Sequence, residues 1–159
     1  MERINLILRN PKYISSLQEI AECEKERVFC KHDTNHFFSV ARIMYIHSLE
    51  QNLKLEKAII YATALLHDIG RHMEYTNDIP HAIASASLAK EILLAVGGFS
   101  QEEQSRIAVA ISKHNACHAQ DPLTSSLQWA DHESRVCIYC TVKSQCKWSE
   151  EEKNREVRL

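Results

Sequence analysis

Residues 58–71 read Ala58-Ile59-Ile60-Tyr61-Ala62-Thr63-Ala64-Leu65-Leu66-His67-Asp68-Ile69-Gly70-Arg71, and this stretch decides the fold. As a helix from about Glu56 to Asp68 it is apolar almost all round, which marks an element buried on every side. The apolar run from Ala58 to Leu66 is interrupted by Thr63 and is far shorter than the roughly 20 residues of a membrane span. It ends on two ionisable residues, His67 and Asp68, and a buried carboxylate is costly unless it is paired or holds a cation. Gly70 stands where a helix end accepts a residue able to take positive φ.

Outward from this centre the chain reads as helices parted by short breaks. Upstream, Asn10-Pro11 is a cap with Pro at the first helical position, and Ile14, Leu17, Ile20 and Ala21 follow at helical spacing. A helix from Asp33-Thr34 to about Gln51 carries Val40, Ile43, Met44 and Tyr45. Downstream, the polar stretch Arg71–Ile79 reads as a loop. A helix then opens at Pro80 and runs to Val96, where Gly97-Gly98 ends it. Ser100 and Glu103 form a capping box for a helix to about His114. Asp121-Pro122 starts another, through Leu127 and Ile138, and Ser149 with Glu152 caps a last short, charged helix. No period-two alternation and no internal repeat occurs. The expected class is all-α: one domain over residues 1–148, with a metal-site core at about 30–135 and a charged, solvated tail at 149–159.

Composition agrees. A chain of 159 residues with 45% apolar and 25% charged residues suits one soluble globular domain. Three Gly and three Pro exclude collagen-like and Pro/Gly-rich disordered classes. A net charge of −2 supplies no basic field for nucleic acid or an acidic membrane. The first residues, Met1-Glu2-Arg3-Ile4-Asn5, lack the apolar core of a secretory signal. A cytoplasmic location is expected, with the six Cys as reduced thiols or metal ligands. Nine His is a large number for this length, and His is the commonest metal ligand.

The ionisable residues fall on the inward faces. His36 lies four before Val40 and seven before Ile43, on the apolar side of its helix. His81 precedes Ala84, Leu88 and Ile92 by three, seven and eleven, and His114 follows Ile107 by seven and Ile111 by three. Asp131 follows Leu127 by four and Leu123 by eight. Four inward His and two inward Asp, with no Lys or Arg on those stripes, fit a shared metal site better than separate core histidines. Imidazole and carboxylate without thiolate suit Fe, Mn, Co, Ni or Zn, and helical bundles build such sites from facing side chains.

In this order, His36, then His67-Asp68 behind an apolar helix, then Asp131, the chain resembles the H…HD…D signature of the HD-domain metal-dependent phosphohydrolases. The interposed His81 and His114 extend it to the H…HD…H…H…D form of members that hold two metal ions. Among these the chain is similar to the small bacterial hydrolases that split diadenosine tetraphosphate symmetrically. The resemblance implies that His36, His67, Asp68 and Asp131 hold a first ion, and that Asp68 bridges to a second held by His81 and His114. No Gly-Tyr-Pro tripeptide follows, so the cyclic di-GMP branch is not supported. A rival pair, His32-Asp33, has no upstream His and sits in a polar stretch, with Asp33 accounted for as a helix N-cap.

The implied chemistry is hydrolysis of a phosphoester or phosphoanhydride in a small phosphorylated substrate, a nucleotide or dinucleotide polyphosphate. Charge on the phosphoryl oxygens needs cationic donors, for which Arg71 and Lys113 are the candidates beside Asp68; either also suits a helix end as a solvated cation. His72 and His118 read as surface residues or proton donors, His47 as a boundary residue, and His132 as no ligand. Cys137, Cys140 and Cys146 follow a C-x2-C-x5-C spacing. Either Cys137 and Cys140 are small buried thiols near the end of the helix that starts at Asp121-Pro122, or the three belong to a metal clip completed by Cys30, Cys117 or His132. Two other readings stand beside the two-metal enzyme. One is a nucleotide phosphatase with a single ion on His36, His67, Asp68 and Asp131; the other is a metal- or redox-responsive regulatory module.

Overall fold

The computed structural model describes residues 1–116, 119 and 121–156. Among them are eight α-helices and no strand: α1 (Glu2–Arg9), α2 (Pro11–Cys23), α3 (Thr34–Glu50), α4 (Lys57–Leu66), α5 (Arg71–Asn77), α6 (His81–Val96), α7 (Gln101–Lys113) and α8 (Pro122–Glu133). The all-α class holds. Among the described residues, no helix is long and apolar enough to cross a membrane.

The expected caps form. Asn10 Oδ1 accepts from Lys12 N and Tyr13 N, and Asp33 Oδ1 accepts from His36 N. Ser100 and Glu103 bond reciprocally, and Asp121 Oδ1 accepts from Leu123 N and Thr124 N. Each satisfies backbone donors that a helix start otherwise leaves without partners. α4 is the central element, with Ala58, Ile59, Ile60, Ala62, Thr63, Ala64, Leu65 and Leu66 all buried. It packs against α3, α7, α1, α6 and α8, while α6 lies along α7 and α3 against α8. Phe37, Val40, Met44, Ile60, Leu65, Leu66, Ile107, Ile111 and Leu127 fill the space between.

Four elements differ from the sequence reading. Glu2–Arg9 forms α1, held by Arg3, which donates to Glu103 at 2.8 Å and to Gly98 O at 3.0 Å and pairs with Glu56. Arg71–Asn77 is a helix rather than a loop; it packs between α2 and α6, and its polar sequence hid it because only His72 is buried. Gly70 has φ −91° and takes no positive angle. A Cβ there would lie 2.4 Å from Ser85 N and 2.6 Å from Ala84 C, so glycine is required by the close passage of α6. Finally, α8 stops at Glu133, not Ile138. Asn154 Nδ2 donates to His132 O at 2.6 Å and Arg135 O at 3.1 Å, which occupies carbonyls a longer helix would use. Ser149 and Glu152 bond reciprocally as a box, but a turn follows rather than a helix, and Lys153 and Asn154 are buried.

Candidate metal centre

α4 ends in the turn His67–Gly70, closed by Ile69 N to Leu66 O and Arg71 N to Asp68 O. This turn drops His67 and Asp68, both buried, into the middle of the bundle. His36 comes from the first turn of α3, His81 from the start of α6, His114 from the end of α7 and Asp131 from the last turn of α8. Five helices thus point one ionisable end each at one place.

The imidazoles share one arrangement. His67 Nδ1 donates to Ala64 O at 2.7 Å, and His114 Nδ1 donates to Ile111 O at 2.6 Å. His36 Nδ1 stands 3.1 Å from Ser134 Oγ, whose own proton goes to Asp131 O. His81 Nδ1 lies 2.8 Å from Glu74 Oε2, with Arg71 Nη1 2.6 Å from the same nitrogen. His81 Nδ1 is shared between the Glu74 carboxylate and the Arg71 donor. In His67, His114 and His36 the facing oxygen accepts the Nδ1 proton, so each of these presents its Nε2 lone pair inward. Metal-binding histidines are oriented in this way.

Those inward nitrogens converge on two carboxylates. Asp68 Oδ2 is 3.3 Å from His67 Nε2, whereas Asp68 Oδ1 is 3.4 Å from His81 Nε2 and 3.7 Å from His114 Nε2. Asp131 Oδ1 is 3.2 Å from His36 Nε2 and 3.8 Å from His67 Nε2. Two groups therefore share Asp68, His36–His67–Asp68 and Asp68–His81–His114, each with ligand atoms within 4.8 Å of one another.

Electrostatics asks for positive charge here. Burial opposes a charge on His67, but the Asp68 and Asp131 carboxylates outweigh it and raise the imidazole to about 10. Burial would raise both aspartates, yet the surrounding imidazoles, and Arg135 beside Asp131, hold them well below the usual carboxylate range. His36 is lowered to about 4, chiefly by burial, and burial also lowers His81 and His114. Three imidazoles kept neutral, His36, His81 and His114, stand beside ionised carboxylates. A divalent ion would take the place of the proton that these carboxylates hold on His67, so the set suits such an ion. His67 Nε2 and Asp68 Oδ1 are buried without a hydrogen-bond partner. Such a group costs about 1–3 kcal/mol, and a cation between the two would satisfy both. The residues fit a metal.

A cavity of about 630 Å³ opens above this centre. Asp68, His81 and Asp131 line its floor, and Arg27, Arg71, Arg135, Lys143, Lys147 and Lys153 line it with positive charge. Arg71 is held by Glu74 at 3.2 Å and Tyr75 Oη at 3.3 Å. Lys113, by contrast, is exposed and does not line the cavity, because it precedes the inward His114 by one residue on α7. Arg135, unnoticed in the sequence, takes that place: its Nη2 is 3.5 Å from Asp131 Oδ1 and 3.1 Å from His36 Nε2.

His32 is the other addition. It is buried, its Nε2 is 3.7 Å from Asp68 Oδ2, and its Nδ1 bonds Glu24 Oε1 at 2.5 Å. It carries the same orientation as the four expected histidines. The remaining histidines lie apart. His72 faces Glu19 at 3.3 Å, His47 stacks on Trp129 and His132 stacks on Trp148. His118 and Cys117 fall outside the described residues.

The fold and this centre define a helical His/Asp metal-site protein. The chain matches the HD domain family over residues 34–136 and belongs to it, a family of generally metal-dependent hydrolases that bind divalent ions. A Clostridium beijerinckii protein described as uncharacterized is 40% identical to it over 157 residues, 99% of either chain. No solved structure matches.

Proposed function

We propose that this HD-domain protein is a phosphohydrolase with two divalent ions, acting on a phosphoester or phosphoanhydride of a small nucleotide or dinucleotide polyphosphate. One observation carries the reading: the two oxygens of Asp68 face two different histidine groups, as a carboxylate bridging two ions does. His36, His67, Asp68 and Asp131 would hold one ion, and Asp68, His81 and His114 the other. When bound, such ions let water attack phosphorus at neutral pH and draw charge from the attacking and leaving oxygens. In that hydrolysis the oxygen of water bonds to phosphorus, the bridging P–O bond breaks, and the leaving oxygen ends with the proton.

The other residues supply binding and orientation. The guanidinium groups of Arg71 and Arg135 sit where phosphoryl oxygens would lie beside Asp68 and Asp131 and can take them as paired hydrogen bonds. The cationic lining favours more than one phosphate, and Phe29 and Trp148, which also line the cavity, offer apolar surface to a base. The cavity volume suits a nucleotide-sized ligand. The symmetrical diadenosine tetraphosphate substrate rests on the resemblance of sequence alone. Location in the cytoplasm is part of the same reading, and the unbonded state of all five described cysteines agrees with it.

The test is turnover of a panel of nucleoside polyphosphates, dinucleoside polyphosphates and a nitrophenyl phosphodiester, with the protein loaded separately with Mn, Fe, Co, Ni or Zn. Hydrolysis of at least one, lowered about 10³-fold or more by Asp68→Ala, supports the proposal. No turnover with any metal, or turnover that survives Asp68→Ala, overturns it in favour of a regulatory metal site.

A further inference from the structure

Outside the His/Asp centre, further side chains of a metal-ligating type share the lining of the cavity. Cys30 lies in the segment before α3, and Cys137, Cys140 and Cys146 follow α8, yet all four line the same cavity. None forms a disulfide, and Cys137 is buried. The early end of α8 removes these cysteines from a helix and puts them in turns. Cys140 N donates to Cys137 O at 3.1 Å, closing the C-x2-C turn, and Cys146 N donates to Lys143 O at 3.3 Å. We propose that Cys30, Cys137, Cys140 and Cys146 form a four-thiolate site at the cavity rim for a thiophilic metal centre, either one zinc ion or one iron–sulfur cluster.

Three observations favour this over four unrelated thiols. Four of the five described cysteines line one cavity, although one precedes α3 and the other three follow α8. A backbone N–H, that of Asn154, bonds the Cys137 sulfur, as amides commonly do for sulfurs that carry thiolate charge. Lys143, Lys147, Arg27 and Arg135 line the same cavity and offset the charge that four thiolates bring.

The donor types also separate the two sites. Thiolate selects zinc or iron–sulfur centres, while the imidazole and carboxylate groups below suit harder divalent ions. Among the described residues no three of these thiols come within 4.8 Å of one another. Zinc, at about 2.3 Å from each sulfur, would draw them together; an iron–sulfur cluster is several atoms wide and spans a broader set. Cys30 stands two residues before His32, and Cys137 two after Arg135. A centre on these thiols therefore ties together the two segments that carry His32 and His36 on one side and Asp131 and Arg135 on the other.

The experiment is elemental analysis of the full chain, purified without oxygen or chelator, with acid-labile sulfide and the visible absorption spectrum. Zinc without sulfide, or iron with sulfide and broad visible absorption, supports the proposal when it persists in Asp68→Ala and is lost from that variant once Cys140→Ser and Cys146→Ser are added. Metal that is wholly lost in Asp68→Ala alone, or that stays unchanged in Asp68→Ala when the two serines are added, overturns it. Alkylation of the wild-type chain covers the case of a variant that fails to fold. Cys30, Cys140 and Cys146 should react at least ten-fold more slowly before removal of the metal than after, with exposed Cys23 unchanged. Equal reactivity before and after also overturns the proposal.

Discussion

Glu24 is a buried carboxylate with three donors around it: His32 N at 2.7 Å, His32 Nδ1 and Tyr75 Oη at 2.6 Å. Burial alone would raise it, but these bonds lower it to about 2 from an ordinary value of 4.5. A carboxylate lowered on folding contributes stability above pH 4.5, and that contribution fades as pH falls from 4.5 towards 2. Glu24→Gln should therefore flatten the acid limb of a urea-midpoint series over that window, with a loss at neutral pH of roughly 3 kcal/mol at most. An unchanged limb contradicts the assignment. Because Glu24 also fixes the His32 ring, His32→Ala or Glu24→Gln should weaken metal retention about 10–100-fold in chelator competition. His32 was illegible in the sequence for a physical reason: Asp33 fully explains the pair as a cap, and the partner that orients His32 lies eight residues upstream, at the C-terminal end of α2. His36, His81, His114 and Asp131 were legible from the apolar stripe of each one's own helix, and His67 with Asp68 from the apolar helix they follow.

Elements carry the precision of the site. His67 and Asp68 are placed by a turn, and that turn is pinned to α6 by Gly70 N donating to Ser85 Oγ at 2.9 Å. His81 begins α6, so the spacing between Asp68 and His81 depends on how closely α6 passes Gly70. Gly70→Ala would press a methyl against the α6 backbone. It should cost about 1–3 kcal/mol in denaturant unfolding and should lower metal bound by His81 and His114 more than metal bound by His36 and His67. Wild-type stability in this variant would contradict the packing described. The helix caps could be read in advance because each uses local side-chain chemistry. The end of α8 could not, since it is set by Asn154, well beyond it in the chain. α5 was missed for a related reason: tertiary packing against α2 and α6, rather than its own periodicity, makes it a helix.

At the scale of the whole molecule, a chain of net charge −2 gathers six of its 19 Lys and Arg at one mouth. Overall charge is therefore a poor guide to what the cavity takes up. Inorganic phosphate or a nucleotide should inhibit with an affinity that falls as salt rises, as screening of surface charge requires. Arg71→Ala should lower kcat/KM about 10²–10³-fold, whereas Lys113→Ala, outside the cavity, should leave it within two-fold. Equal effects would contradict the placement of these two cations.

If Asp68 joins two metal ions, as we propose, the number of ions per chain that depends on it is two. Wild type, Asp68→Ala and His81→Ala are compared by elemental analysis after identical metal loading, in a background where Cys140 and Cys146 are serine. A shared carboxylate requires a loss of about two ions in Asp68→Ala and about one in His81→Ala. A loss of one ion in Asp68→Ala with none in His81→Ala would leave a single-ion site and contradict it.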